Sequence, residues 1–398
     1  MTPLRIRSVQ AYRLAIPMRT RFEHAAAARD TSDPIIVQLT AGAPYAQHAG
    51  FGETLARPYV TGETATSVVD DINNLFTPRL IGFAPQSFAE ALEFIEALPT
   101  QLSGRIVSAA RAAVELALLD LAGQVFRRRP ADAAGWLGLP GFGSPGCLPT
   151  ARYSGIVIGQ TPRDVTRRLR LQRLFGLRDF KLKVAIPGWQ ERLSAAHQVL
   201  RRRLERREVT LRVDANGGWS LAEANEALAF LERHGVCAVE QPLSEAADGD
   251  LPWLAAQTGC DLVVDESLIT VDDARRLINA GGVRVFNVRI AKNGGLLPAL
   301  RIASLALGAG CDVQLGCLVG ETSILSAAGM AFLEACPRVR FVEGAFGSFL
   351  MRADVVRRPI RFGYRGRVRP RRSFGLGVEV DPRALARLTV ARSRCVQL

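Results

Sequence analysis

The pattern of apolar and polar positions divides the chain into two parts. In the first part, residues 4–16, 34–39 and 50–55 have the pattern of strands, and helical periodicity follows. The clearest helix is predicted at 103–122, where alanine and leucine recur on a nearly continuous face. The glycine- and proline-rich stretch 140–146 interrupts the periodic patterns and predicts a domain boundary.

The second part alternates regularly between short apolar strands and helical segments. Eight strands joined by seven crossovers fit a closed parallel barrel better than an open sheet with helices on both faces. Active residues of such a barrel lie at the C-terminal ends of its strands. We therefore predict an α/β barrel with strands near residues 152–158, 179–184, 209–214, 236–240, 261–265, 284–290, 312–316 and 339–343.

Three of these predicted strands end in an acidic residue. The steps from Asp214 to Glu240 and from Glu240 to Asp265 are 26 and 25 residues, about one strand, one helix and two loops. Three neighbouring strands would therefore deliver three carboxylates to one rim of the barrel. Oxygen ligands that converge from separate strands suit Mg²⁺, which keeps coordination positions for water and substrate.

Two lysines lie on the strand that precedes the acids. Lys181 and Lys183 are separated by one residue, so strand alternation places them on the same face, which should be the face of the carboxylates. Two ammonium groups so close, in a site with little water, each disfavour the other's charged form. One of them can then be neutral enough to act as a base.

Length, charge and cysteine content narrow the class of protein. A chain of 398 residues is longer than one core usually accommodates, and no apolar run reaches the roughly 20 residues of a membrane span. The formal charge is +13, but the arginine runs lack interleaved aromatics, so we expect neither nucleic-acid nor membrane binding. Seven cysteines without paired spacing, and a start that lacks the layout of a signal peptide, favour a cytoplasmic protein.

Several short motifs together resemble the enolase superfamily, and within it the muconate-lactonizing subgroup. They are Lys181-x-Lys183, Asp214-x-Asn216, Glu240-Gln241-Pro242, Asp265-Glu266-Ser267, Lys292-x-Gly294-Gly295 and Gly375-Leu376-Gly377-Val378-Glu379-Val380 in the second part, with Gly50-Phe51-Gly52-Glu53 and Tyr59-Val60-Thr61-Gly62-Glu63 in the first. Each motif alone is weak, whereas their order and spacing are jointly specific.

The resemblance implies a fold and a set of roles. The expected fold is a modified TIM barrel, (β/α)₇β, at residues 146–358, an α+β capping domain at 1–145, and a C-terminal segment at 359–398 that returns to the cap. Mg²⁺, with Mn²⁺ as a possible substitute, would be held by Asp214, Glu240 and Asp265. Lys183 would be the base and Lys181 its cationic neighbour.

One residue departs from the subgroup's pattern. Racemases and epimerases of the subgroup carry a second lysine 24 residues beyond the third metal ligand, and this chain has Arg289 there. Arginine is a poor proton acceptor, because removing its proton at neutral pH costs roughly 7 kcal/mol. Strand alternation puts Lys292 on the opposite face unless the strand ends or bulges first. Both remain candidate catalytic residues, and Arg289 favours reactions that need one base, such as cycloisomerisation or β-elimination.

Five further residues are candidates for substrate binding, and the resemblance or their position indicates each one: Asn216, Glu321, Glu343, His24 and Arg29. Glu343 lies where dipeptide epimerases present the second acid of an Asp-x-Asp pair, but Phe341 occupies the first place, which argues against recognition of an ammonium group. For His24 and Arg29, a position in a solvent-exposed loop without contact to the substrate is an equally supported alternative. Helix capping is the alternative for Glu321.

The expected function is removal of a proton next to a carboxylate, through an enediolate, in a small-molecule substrate. An isomerase, either a cycloisomerase or a racemase or epimerase, is favoured, and the chain is expected to form a homo-oligomer. A lyase resembling o-succinylbenzoate synthase is the first alternative. A non-catalytic binding member of the fold is the second, since fold alone never establishes catalysis.

Overall fold

The computed structural model describes residues 2–24, 27–143, 147–148, 150–369 and 373–398, and for 20–24 and 27–28 the backbone alone. The N-terminal part is built on an antiparallel sheet with the order β16-β1-β4-β5, in which β17 also pairs with β1. The first strands are β1 (Ile6–Leu14), β2 (Ile16–His24), β3 (Ala27–Ser32), β4 (Ile35–Ala41) and β5 (Ala49–Thr54).

Helices cover one face of this sheet. They are α1 (Pro58–Thr61), α2 (Ala65–Asp71), α3 (Phe88–Glu96), α4 (Ser108–Phe126) and α5 (Ala133–Trp136), with a short hairpin of β6 (Gln101–Leu102) and β7 (Arg105–Ile106) before α4. A Cβ atom added to Gly52 would lie 1.9 Å from the main-chain oxygen of Ala113, so α4 meets β5 backbone to backbone. The prediction that α4 begins at Ser103 is wrong, because the hairpin occupies 101–106 and the helix starts at Ser108.

The second part is the predicted parallel barrel. Its strands are β8 (Gly155–Val157), β9 (Asp179–Lys183), β10 (Thr210–Asp214), β11 (Ala238–Glu240), β12 (Asp261–Val264), β13 (Val285–Val288), β14 (Asp312–Leu315) and β15 (Phe341–Val342). The helices between them are α6 (Pro162–Leu174), α7 (Trp189–Glu205), α8 (Leu221–Arg233), α9 (Leu251–Ala256), α10 (Val271–Ala280), α11 (Leu296–Gly308) and α12 (Ser323–Ala335).

The eight strands form one sheet in chain order, and every neighbouring pair is parallel. The sheet closes through a parallel bridge between Tyr153 and Val342, supported by a 2.7 Å hydrogen bond from the Ser154 amide to the Val342 carbonyl. The predicted fold class, a (β/α)₇β barrel with an α+β cap, is therefore confirmed. All eight strands lie within the predicted segments.

The chain after the barrel runs back to the N-terminal sheet. Helix α13 (Gly347–Leu350) is followed by α14 (Pro382–Leu388), β16 (Thr389–Arg392) and β17 (Val396–Gln397), and both strands pair with β1. The domain limits at 145 and 358 stay predictions, and residues 144–146 lie outside the described part of the chain. Within the described residues, no helix combines the length and apolar character that crossing a membrane requires.

Glu53 joins the cap to the barrel. Its buried carboxylate accepts hydrogen bonds from the Thr322 amide at 2.7 Å, the Thr322 hydroxyl at 2.6 Å and the Leu325 amide at 2.9 Å. Burial outweighs these bonds and raises the pKa of Glu53 from 4.5 to about 7. The folded protein therefore holds this proton more tightly than the unfolded chain does.

The free energy of unfolding is expected to contain a Glu53 contribution that is complete below about pH 4.5 and is lost as the pH rises through about 7. Glu53→Gln should remove about 3 kcal/mol of that dependence, given 1.36 kcal/mol for each pKa unit. Urea unfolding measured between pH 4.5 and 8 tests this, with Glu93→Gln, an exposed position, as the control. Equal pH slopes in the two variants would contradict it.

Candidate active site

Three carboxylates lie at one rim of the barrel. In the parallel register Asp214 pairs with Glu240, and Glu240 pairs with Val263, two residues before Asp265. All three acids are at most 1% exposed. The adjacency of β10, β11 and β12 thus places an all-oxygen donor set at the C-terminal end of the sheet.

Lys181 lies among these acids. Its ammonium group is 3.1 Å from both carboxylate oxygens of Glu240, 2.8 Å from Glu343 and 3.5 Å from Asp214. Burial alone would lower the pKa of Lys181, but the charges of Glu240, Glu343 and Asp214 outweigh it and raise the pKa above its usual range. Lys181 is therefore held in its charged form.

Lys183 faces the open side of the same rim. Its side chain is 20% exposed, and its Nζ donates to Asp214 Oδ2 at 2.6 Å and to Asn216 Oδ1 at 2.5 Å. Asn216 in turn donates to Glu266 at 3.0 Å. Both lysines line the cavity, and Lys183 is the more exposed of the two.

Strand β13 ends at Val288, one residue before Arg289. The Arg289 guanidinium contacts Asp265 and lies 3.7 Å from Glu240, and the side chain lines the cavity. Because the strand has ended, Lys292 also turns toward Asp265, and its Nζ donates to Oδ1 at 2.9 Å and to the main-chain oxygen at 2.6 Å. Lys292 is 1% exposed, so it supports Asp265 from inside the protein.

Burial and the neighbouring Arg289 lower the pKa of Lys292 well below its usual range. Lys292 is nevertheless not part of the described cavity wall, whereas Arg289 is. The two sixth-strand candidates therefore differ in position: Arg289 faces the cavity and Lys292 lies behind Asp265.

The three acids fit a divalent cation by their chemistry. Among the described residues, no three Asp, Glu, His or Cys side chains are arranged so that they could hold a metal ion. Lys181, Lys183, Arg289 and Lys292 lie against the three acids. Glu266 lines the same cavity, and its buried Oε2 has no hydrogen-bond partner within the described part of the chain. Carboxylate oxygens of this kind are the ligands that Mg²⁺ prefers in proteins.

A cavity of about 600 Å³ opens above this rim. Lys181, Lys183, Asn216, Glu321 and Glu343 of the predicted residues line it, as do Glu266 and Arg289. Arg29 instead pairs with Asp33 at 3.1 Å and is absent from the described cavity wall. The side chain of His24 lies outside the described residues.

Glu321 is an acid on the cavity wall that has no cationic partner within salt-bridge distance among the described residues. Its Oε1 accepts the Leu318 amide at 2.6 Å, and burial raises the pKa of Glu321 to about 8. The group is therefore protonated at neutral pH. It can donate a proton to a molecule in the cavity.

Sequence reasoning missed two polar side chains of the site. Arg212 is buried, lies 3.0 Å from Glu343, and donates to Gln314 at 2.6 Å. Strand alternation places Arg212 on the same face as Asp214, so its position in the site could have been predicted from the sequence. Glu266 follows Asp265 directly, and no sequence pattern indicated that its side chain would reach the cavity.

A family model described as "Enolase C-terminal domain-like" matches residues 164–384. An L-Ala-D/L-Glu epimerase of Clostridium acetobutylicum is 27% identical over 82% of this chain and 86% of its own. Muconate cycloisomerase 1 of Acinetobacter baylyi is 26% identical over 82% of this chain and 84% of its own.

The same fold occurs in a solved structure of a dipeptide epimerase from Cytophaga hutchinsonii, complexed with Mg and the dipeptide D-Ala-L-Val. Its TM-score to this chain is 0.82 over 100% of both chains, at 22% identity. At that identity the likeness concerns the fold.

Proposed function

The chain belongs to the enolase superfamily, and from that premise we propose that it is a Mg²⁺-dependent isomerase that removes a proton next to a substrate carboxylate. One observation carries the proposal: Lys183 faces the cavity beside three buried strand-end acids, while Lys181 is held charged behind it. The epimerase and the cycloisomerase among its relatives support an isomerase. The substrate is a small carboxylate.

The chemistry explains why these residues are needed together. Removing a proton from carbon next to a carboxylate leaves an enediolate with two negatively charged oxygens. When bound by Asp214, Glu240 and Asp265, Mg²⁺ would supply several kcal/mol of charge stabilisation. Lys183, as the neutral amine, takes the proton from carbon onto its Nζ and, as the ammonium, returns a proton to the intermediate. The fixed charge of Lys181 stabilises the negative charge that develops.

Arg289 is the second fixed cation of the site. Its guanidinium stays protonated at neutral pH, and it lies on the cavity wall next to Asp265. It therefore holds the substrate's anionic end and does not exchange protons. Lys292 lies behind Asp265, outside the described cavity wall. Lys183 is therefore the only lysine in the described cavity wall that faces solvent, and the proton leaves from one face of the substrate.

Exchange with solvent deuterium is expected at only one enantiomer of a substrate with a stereocentre next to the carboxylate. Lys292→Met should leave that preference unchanged, whereas Arg289→Lys should open exchange at the other enantiomer, because lysine can lose its charge in a buried site. Proton NMR of each pure enantiomer in deuterated water measures both. Interconversion of both enantiomers by the wild type, lost in Lys292→Met, would show a two-lysine racemase instead.

A lyase is the second candidate, and Glu321 is the observation that favours it. A protonated acid on the cavity wall can protonate a leaving hydroxide while Lys183 takes the proton from carbon. The mass of the product separates the two reactions, because an isomerase conserves the substrate mass and a dehydrating lyase lowers it by one water. Unchanged substrate mass with a new retention time is the result expected for an isomerase.

Three further properties belong to the proposal. Mn²⁺ is expected to replace Mg²⁺, because both ions accept oxygen ligands in similar geometry. From the sequence we also propose that the protein is located in the cytoplasm and forms a homo-oligomer. The three domain segments 1–145, 146–358 and 359–398 are proposed in the same way.

A further inference from the structure

We infer that the substrate carries a bulky apolar group, preferably an aryl ring, and that it has no free ammonium group beside Glu343. This inference rests on the proposed function for the position of the carboxylate. The wall of the cavity contains both charged and large apolar side chains.

The cavity wall combines a group of charged and polar side chains with a group of large apolar ones. Lys183, Asn216, Glu266 and Arg289 belong to the first group. The large apolar side chains come from strand β8, from helix α6 and the residue after it, from the loop after β14 and from the segment that follows β15; they are Ile156, Leu171, Phe175, Leu318, Phe349 and Phe362. Arg168 and Gln172 of α6 also line the cavity. A molecule of substrate size with its carboxylate at the first group can therefore reach the large apolar side chains with its other end.

The apolar wall is built around Phe362. Its ring lies 4.9 Å from the ring of Phe349, 5.7 Å from Phe346 and 6.2 Å from Phe175, measured between centroids, and two of the three pairs are edge-on. Phe362 is 5% exposed, so its neighbours hold it in place. Such a cluster offers ring faces and edges that suit an aromatic or branched apolar group.

Two members of this wall are exposed although they are large and apolar. Phe349 is 44% and Leu171 is 59% exposed, and both line the cavity mouth. Contiguous exposed apolar surface around a cavity is typical of a ligand-binding site. An apolar substrate group would remove this surface from water.

Glu343 is the acid that could recognise an ammonium group, and its charge is already compensated. Lys181 donates to one of its oxygens at 2.8 Å, and Arg212 lies 3.0 Å from the other. Phe341 lies under Arg212, with 4.2 Å between the guanidinium carbon and the ring centroid, and supplies no second acid. A substrate ammonium would meet two cations there, so its nitrogen, if present, is uncharged.

Binding of three matched compounds tests the inference directly. Titration calorimetry with Mg²⁺ present would compare N-acetylphenylalanine, N-acetylalanine and phenylalanine, each as both enantiomers. N-acetylphenylalanine should bind at least about tenfold more tightly than the other two, because it alone combines an apolar ring with an uncharged nitrogen. Equal affinity for N-acetylalanine or for phenylalanine, or no binding of any of the three, would overturn it.

Two pairs of variants locate the binding. Leu171→Asp should weaken N-acetylphenylalanine binding about tenfold or more, whereas Leu174→Asp, on the same helix and 78% exposed but outside the described cavity wall, should not. Phe349→Ala should weaken it similarly, and Phe374→Ala, 42% exposed and remote from the cavity, should not. Equal effects within each pair would overturn the inference.

The proposed function and this inference fail in different experiments. If no carboxylate exchanges deuterium while N-acetylphenylalanine still binds with the expected preference, the proposed function fails and the apolar site stands. If exchange occurs equally with small and aryl-bearing carboxylates, the proposed function stands and the inference fails.

Discussion

Asp214→Asn, Glu240→Gln and Asp265→Asn are each expected to abolish turnover and to weaken Mg²⁺ binding. Each change removes one anionic oxygen ligand from the rim, and it takes an ion-pair partner from Lys183 in the first case and from Arg289 in the third. We expect turnover to fall by at least about 10³-fold, since several kcal/mol of transition-state stabilisation depend on the bound ion. Titration calorimetry measures the Mg²⁺ affinity independently of turnover.

The loss must be separated from a loss of folding. Asp71 provides the control, because it is 7% exposed and pairs with Arg105 at 2.7 Å in the cap, away from the rim. Asp71→Asn should lower the melting temperature without changing the Mg²⁺ affinity. Unchanged Mg²⁺ affinity in all three rim variants would show that these acids do not form the metal site.

Lys183→Ala is expected to stop proton exchange at the substrate carbon while Mg²⁺ still binds. The reason is that general-base catalysis contributes about 10²- to 10⁴-fold and no other lysine in the described cavity wall faces solvent. Lys183→Arg is the matched variant, because it keeps the positive charge beside Asp214 but cannot accept the proton. Both variants should lose exchange, measured by proton NMR in deuterated water.

A different result would identify a different base. Exchange at the wild-type rate in Lys183→Ala would show that the proton goes elsewhere. Exchange lost in Lys183→Ala but kept in Lys183→Arg would show that the position supplies charge and not a base.

The barrel could be predicted because its strands are short, apolar and regularly spaced. An acid at the end of each of three consecutive units specifies both the face and the rim, so Asp214, Glu240 and Asp265 could be placed from the sequence. The start of α4 could not be placed, because the polar residues before Ser108 are compatible with a helix and a hairpin alike.

The sixth strand shows where sequence periodicity stops being informative. Alternation separates Arg289 from Lys292 only while the strand continues, and β13 ends at Val288. Both side chains then reach Asp265, one from the cavity and one from the interior. The ion pairs of Lys181 were equally beyond sequence reasoning, because they bring acids from three separate strand ends around its ammonium group.

The interior of the site also depends on contacts between distant residues. Glu343 forms ion pairs with Lys181 and Arg212. Lys181 precedes Glu343 by 162 residues in the sequence. These ion pairs determine whether Glu343 can bind a substrate ammonium group. The comparison of Phe341 and Glu343 with the Asp-x-Asp pair of dipeptide epimerases could not show this.

Deuterium incorporation at the carbon next to the carboxylate is the measurement that tests the central claim most directly. Carboxylates would be incubated with the wild-type protein and Mg²⁺ in deuterated water, followed by mass spectrometry and proton NMR, with Lys183→Ala as the control. The account predicts that at least one carboxylate gains one deuterium at that carbon, only with the divalent ion and only in the wild type. Product formation without deuterium at that carbon, or equal incorporation in Lys183→Ala, would contradict it.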